Sequence, residues 1–77
     1  MYVLAIGHEN YVSKSKVSGI YNVKSNPIRK IIDFARTQNV LIDATKGKAT
    51  KSVIVLSDGF VILSSMTPQT LAEKRFS

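Results

Sequence analysis

Apolar residues are spaced in two different rhythms along this chain, and the changeover between them is sharp. Tyr2-Val3-Leu4-Ala5-Ile6 is a run of strand formers that Gly7 ends, and Asn10-Tyr11-Val12 and Val17 to Val23 read as two further short extended segments. At Ser25-Asn26-Pro27 the rhythm becomes helical. Asn26 has the short polar side chain of an N-cap, and Pro27 fits the first helical position, where its missing N–H costs nothing. Ile28, Ile31, Ile32 and Ala35 follow at the i, i+3, i+4, i+7 spacing of one buried face. Arg29, Asp33 and Arg36 share another face and can pair with one another. The helix is predicted to end near Asn39.

Strand signals then return. Val40-Leu41-Ile42 is a compact apolar run, followed by the polar, basic segment Asp43-Ala44-Thr45-Lys46-Gly47-Lys48, whose Gly47 permits a positive φ. Ser52-Val53-Ile54-Val55-Leu56 and Phe60-Val61-Ile62-Leu63-Ser64 flank Ser57 and the pair Asp58-Gly59, a strong short-range sign of a hairpin with a type I′ turn. Both strands are apolar at almost every position. That predicts burial on two faces, by the helix on one side and by another subunit on the other. Thr67-Pro68 repeats the cap-then-proline start, and Gln69 to Arg75 form a short terminal helix. The expected architecture is α+β in a single domain over residues 1–77: a small mixed sheet with a β-hairpin in its C-terminal half, one central helix and a short C-terminal helix.

Length adds a constraint that the pattern does not. A domain of 77 residues buries only about 60% of the surface its unfolded chain exposes. Folding also costs roughly 1 to 2 kcal/mol of backbone entropy per residue. There is no cysteine to supply a disulfide or a thiolate metal site. Self-association is therefore expected. Tyr2 to Ile6 has no basic residue before it and is too short for the apolar region of a signal peptide, and no run approaches the roughly 20 apolar residues that span a bilayer. A cytoplasmic protein without a membrane partner is the expectation.

A catalytic reading needs convergent titratable groups, and one His, no Cys and five scattered carboxylates do not supply them. Ser13-Lys14-Ser15-Lys16 has the Ser-x-x-Lys form of penicillin-binding enzymes, but those need a far larger domain with further motifs. Gly47-Lys48 with Thr50 resembles the end of a P-loop. However, Ile42 stands where its first glycine belongs, and Ala49 where the Mg²⁺-binding hydroxyl must follow the lysine. His8 has no companion ligands and reads as a turn residue. Asp43, closing a strand before a glycine turn, reads as an acceptor for the next backbone amides. Neither an enzyme, a cofactor, a metal nor a small-molecule substrate is indicated.

Charge points elsewhere. Eleven Lys and Arg against five Asp and Glu give a net charge of +6 and a pI near 9.9, which favours an anionic partner. Arg29 and Arg36 are partly neutralised by Asp33 and read as a solvated helix face. Lys14 and Lys16 precede one predicted strand, while Lys46, Lys48 and Lys51 surround Gly47 before another, and these five lysines form the expected footprint. Ammonium groups on flexible stems suit phosphate oxygens and carry little base information. Tyr2, Tyr11, Tyr21, Phe34 and Phe60 fall in predicted strands and the helix, away from the basic loops. Duplex DNA is thus favoured over single-stranded RNA.

Several separated blocks then match one family in order. Ile6-Gly7, Ser25-Asn26-Pro27-Ile28 with two basic residues after it, Leu41-Ile42-Asp43-Ala44-Thr45-Lys46-Gly47, and Val61-Ile62-Leu63-Ser64 running on to Pro68, Thr70 and Ala72 resemble the RemA family of bacterial matrix-gene regulators. The likeness covers nearly the whole chain. It implies a cytoplasmic, nucleoid-associated regulator that binds promoter DNA of matrix and osmoprotection genes as a closed, octamer-like homo-oligomeric ring. The family's DNA-contacting arginines fall at Lys16, Lys48 and Ala49 of this sequence, so two become lysine and the third loses its charge. Arginine's planar fork gives bidentate contacts that lysine cannot, which implies weaker sequence discrimination here. Lys51 stands where the family also has a basic residue. The alternative is a structural or protein-interaction ring that has lost DNA binding.

Overall fold

The computed structural model describes residues 3–75. Six strands and two helices follow one another as β1 (Val3–Gly7), β2 (Asn10–Ser13), β3 (Val17–Asn22), α1 (Asn26–Thr37), β4 (Leu41–Asp43), β5 (Ser52–Leu56), β6 (Val61–Ser64) and α2 (Pro68–Arg75). Lys14–Lys16 form a single 3-10 turn between β2 and β3. Tyr2, which the sequence assigns to the first strand, lies outside the described residues.

β1 and β2 make a separate antiparallel pair, and the other four strands form a mixed sheet in the order β3-β5-β6-β4. β5 is antiparallel to both neighbours, while β4 runs parallel to β6. The two edge strands, β3 and β4, therefore point the same way, and α1 carries the chain back between them. Register fixes what meets at each end of this sheet. Asn22 pairs with Ser52 and Ser52 with Ser64, whereas Val17 pairs with Leu56 at the opposite end.

The near-continuous apolar runs of β5 and β6 are explained by two cores within the one chain. Val53 and Val61 pack with Ile28 and Ala35 of α1. Their neighbours Ile54 and Ile62 face the other way and pack with Leu4 and Ile6 of β1, Val17, Ala44 and Leu71 of α2. The second face is thus covered by the chain's own first hairpin and last helix, not by another subunit as the sequence suggested. The Ser64 hydroxyl secures that cover, donating to the Ile6 carbonyl at 2.7 Å and accepting from the Met66 amide at 3.1 Å.

Three local expectations are corrected. Ser25, not Asn26, occupies the N-cap of α1, so proline sits one position further in than expected. A proline still costs no bond there, because the first-turn amides have no intrahelical acceptor. Ile31 is 36% exposed, since the buried stripe is centred on Ile28, Ile32 and Ala35. The β5–β6 connection is not a type I′ turn, because only Gly59 has positive φ there. Instead Gly59 N–H donates to the Leu56 carbonyl, and Leu56 N–H to that of Phe60, giving a three-residue loop with glycine in the left-handed position. The terminal helix does start as expected: Thr67 Oγ1 accepts from the Thr70 amide at 3.3 Å.

Candidate nucleic-acid interface

The β4–β5 loop is anchored at its base and open at its tip. Asp43 Oδ1 accepts from the Thr45 amide at 2.9 Å and from its hydroxyl at 2.6 Å. These two bonds, the hydroxyl's first, favour the charged carboxylate and hold it below its ordinary pKa. Ala44 and Thr45 are buried, at 4% and 2% exposure. Lys46 and Gly47 then take positive φ values of 52° and 81°, which throws the chain outward, and the Lys48 amide closes the turn onto the Thr45 carbonyl at 3.1 Å. Lys46, Lys48 and Ala49 are exposed as a result. The backbone of Lys51 is pinned by its amide to the Ser64 carbonyl at 2.9 Å, while its side chain stays exposed.

Register adds a lysine that no local pattern singles out. Asn22 and Ser52 are partners across β3 and β5, and the Val23 amide reaches the Lys51 carbonyl at 3.4 Å. Lys24 is therefore carried to the same end of the sheet as Lys46, Lys48 and Lys51. In sequence it is an isolated cation just before a helix cap. Both helices also begin at this end, α1 directly after β3 and α2 directly after β6, and neither has an acidic residue in its first turn. Helix N-termini present positive partial charge and unpaired amides. Among the described residues no carboxylate lies within ion-pair distance of these four lysines; Arg36 pairs with Asp33 at 3.5 Å on α1, away from them. Asp43 is the one acidic group of the loop itself.

Lys14 and Lys16 are not brought to this surface. Lys16 precedes Val17, whose partner is Leu56, and its carbonyl accepts from the Ser57 amide at 2.7 Å. The four steps between the five paired positions of β5, at about 3.4 Å each, separate the two ends by about 14 Å. The expected five-lysine footprint is thus divided in two. The 3-10 turn, with three residues per turn, also sends the two lysines in different directions, and Lys14 is half-buried where Lys16 is exposed. The same contact places the hairpin loop, with Phe60 39% exposed, beside Lys16, so aromatics and lysines are less segregated in space than in sequence.

The remaining candidates take structural places. His8 lies in the β1–β2 turn at φ 51°, its Nε2 3.4 Å from the Ser65 hydroxyl. Ser13, of the Ser-x-x-Lys match, has its hydroxyl 2.9 Å from that of Ser15. Among the described residues no group of three or more His, Cys, Asp or Glu can hold a metal, and no helix is long and apolar enough to cross a membrane.

Comparison with known proteins gives one consistent match. The chain is similar over residues 3–75 to the RemA-like family, described as extracellular matrix regulatory protein A-like. Relatives from Bacillus cytotoxicus, Bacillus mycoides and Bacillus cereus are each 42% identical over 74 residues, covering 96% of this chain and 85% of theirs. Each bears the name "Putative regulatory protein".

Proposed function

This chain belongs to the RemA-like family, and from that premise we propose that it is a non-enzymatic regulatory protein that binds duplex DNA as a homo-oligomer. The observation that carries the reading is the electropositive end of the sheet: Lys24, Lys46, Lys48 and Lys51 with two helix N-termini and no partnering carboxylate among the described residues. Phosphate oxygens are the ligands such a surface suits, and Lys48 stands at a position the family resemblance assigns to DNA contact. Repetition of the surface around a closed ring would multiply individually weak contacts through effective concentration. Control of matrix or osmoprotection genes is what the resemblance adds.

Neutralising roughly four phosphates per subunit should lower affinity on the order of a hundredfold between about 50 and about 200 mM salt. Mobility shifts on a long duplex at the two salt concentrations test this, with Lys48→Ala expected to flatten the salt slope by about one unit per engaged subunit. A second reading, a ring that serves acidic protein partners instead, is supported by exposed, uncharged Ala49 at the third family position. That reading expects no retardation of duplex at either salt.

A further inference from the structure

Both feet of the β4–β5 loop rest on neighbouring carbonyls of β6: the Ala44 amide donates to Leu63 at 3.0 Å and the Lys51 amide to Ser64 at 2.9 Å. Between them the chain turns outward and back at Lys46 and Gly47, with φ 52° and 81°. Glycine takes this conformation freely, but a lysine holds it only where its surroundings impose it. The preceding residue supplies that hold. Thr45 is 2% exposed, and all of its polar groups are engaged. Its amide and hydroxyl donate to Asp43 Oδ1 at 2.9 and 2.6 Å, and its carbonyl accepts from the Lys48 amide at 3.1 Å.

A carboxylate in this place is a liability for a phosphate-binding surface if charge is all that counts, because it repels the anion that the neighbouring lysines attract. Nor does it pair with those lysines: neither Lys46 nor Lys48 lies within ion-pair distance of a described carboxylate. The charge is directed to Thr45 instead, and hydrogen bonds to an ionised acceptor are about twice as strong as neutral ones. The Asp43–Thr45 clasp therefore fixes the turn, and the turn fixes where the Lys46 and Lys48 stems leave the backbone.

On the reading that this loop meets duplex DNA, we infer that Asp43 and Thr45 are positioning residues for it, their clasp setting the left-handed turn that spreads Lys46 and Lys48 toward the phosphates. Charge and placement predict opposite signs. Asp43→Ala removes a negative charge and the clasp together; charge alone would tighten duplex binding, whereas placement weakens it about threefold or more. Thr45→Val keeps the shape and every charge and loses only the hydroxyl bond. It should also weaken binding and lower the salt slope by about one unit per engaged subunit, and Thr45→Ser, which restores the hydroxyl, should recover both. Mobility shifts at two salt concentrations, run well below each variant's melting temperature, read folded protein alone, so a purely structural role would leave affinity and slope unmoved. Hydrogen exchange at the Lys48 amide, followed by NMR without DNA, should quicken in Thr45→Val and Asp43→Ala and not in Thr45→Ser. Tighter or unchanged binding by Asp43→Ala, an unchanged slope in Thr45→Val, or unaltered exchange at Lys48 each overturns the inference, while retardation by the wild type leaves DNA binding standing. A wild type that fails to retard duplex even at low salt removes that reading, and this role falls with it.

Discussion

Gly47 sits at φ 81° with nothing within 4 Å of where a Cβ would stand, so any penalty for a side chain there comes from the backbone alone. Gly47→Ala should cost about 1 kcal/mol, the lower end of the left-handed penalty. Urea unfolding should show a lower midpoint with an unchanged slope. Three residues before Lys46, the Asp43 carboxylate carries the other half of the loop's conformation. Its pKa is lowered by the Thr45 hydroxyl and amide, so its contribution to stability is present above the ordinary carboxylate pKa and is lost as pH falls through the depressed folded value. Asp43→Asn should accordingly melt below the wild type at neutral pH. The gap should close in acid, and a gap that persists at low pH would show that the charge is not what matters.

At the level of elements, α2 depends on tertiary packing more than on its own sequence. Its helix is eight residues long, below the length at which isolated helices hold in water. Two features retain it: Leu71, with 0% exposure against β1 and the sheet, and the Thr67 cap. Leu71→Ala should cost about 3 kcal/mol through lost burial and the cavity left behind, against about 1 kcal/mol for Thr67→Ala. Thermal melts followed by circular dichroism rank the two. Equal effects would mean that α2 is held by its cap and not by the core. The same reasoning explains why β5 and β6 are apolar at nearly every position: they are the two central strands, with a core on each side.

Over the whole molecule, the positive charge is segregated by topology. Antiparallel pairing of β3 with β5 puts Lys16 at one end of the sheet and Lys24 at the other, although only seven residues separate them. Lys24→Ala should therefore reduce the salt slope of duplex binding about as much as Lys48→Ala, by about one unit per engaged subunit. If the duplex engages both ends, Lys16→Ala adds a further unit; a slope unchanged in both Lys16→Ala and Lys48→Ala would remove the proposed footprint. Because both faces of the central hairpin are covered internally, the proposed homo-oligomer would have to form through other surface. Among the described residues, Phe34 at 67% and Tyr11 at 62% are the most exposed of the large apolar side chains.

Local sequence was enough to give the kind and order of the elements and the Thr67 start of α2, though the cap of α1 fell one residue earlier than the sequence indicates. Period-two and period-3.6 spacing, Pro27 and Pro68, and the glycine turns are local signals that act over a few residues, and the Asp43–Thr45 bond is local too. The long-range features come from folding alone: which strands become neighbours, what covers the second face of the sheet, and which lysines share an end. Apolar runs in β5 and β6 record that two faces are buried but not by what, since a subunit and the chain's own β1 and α2 leave the same hydrophobic pattern. Lys24 was invisible for the same reason. Its place beside Lys51 follows from the pairing of Asn22 with Ser52 across 30 residues of chain, and strand register is set by the packing of the whole sheet and not by any single segment.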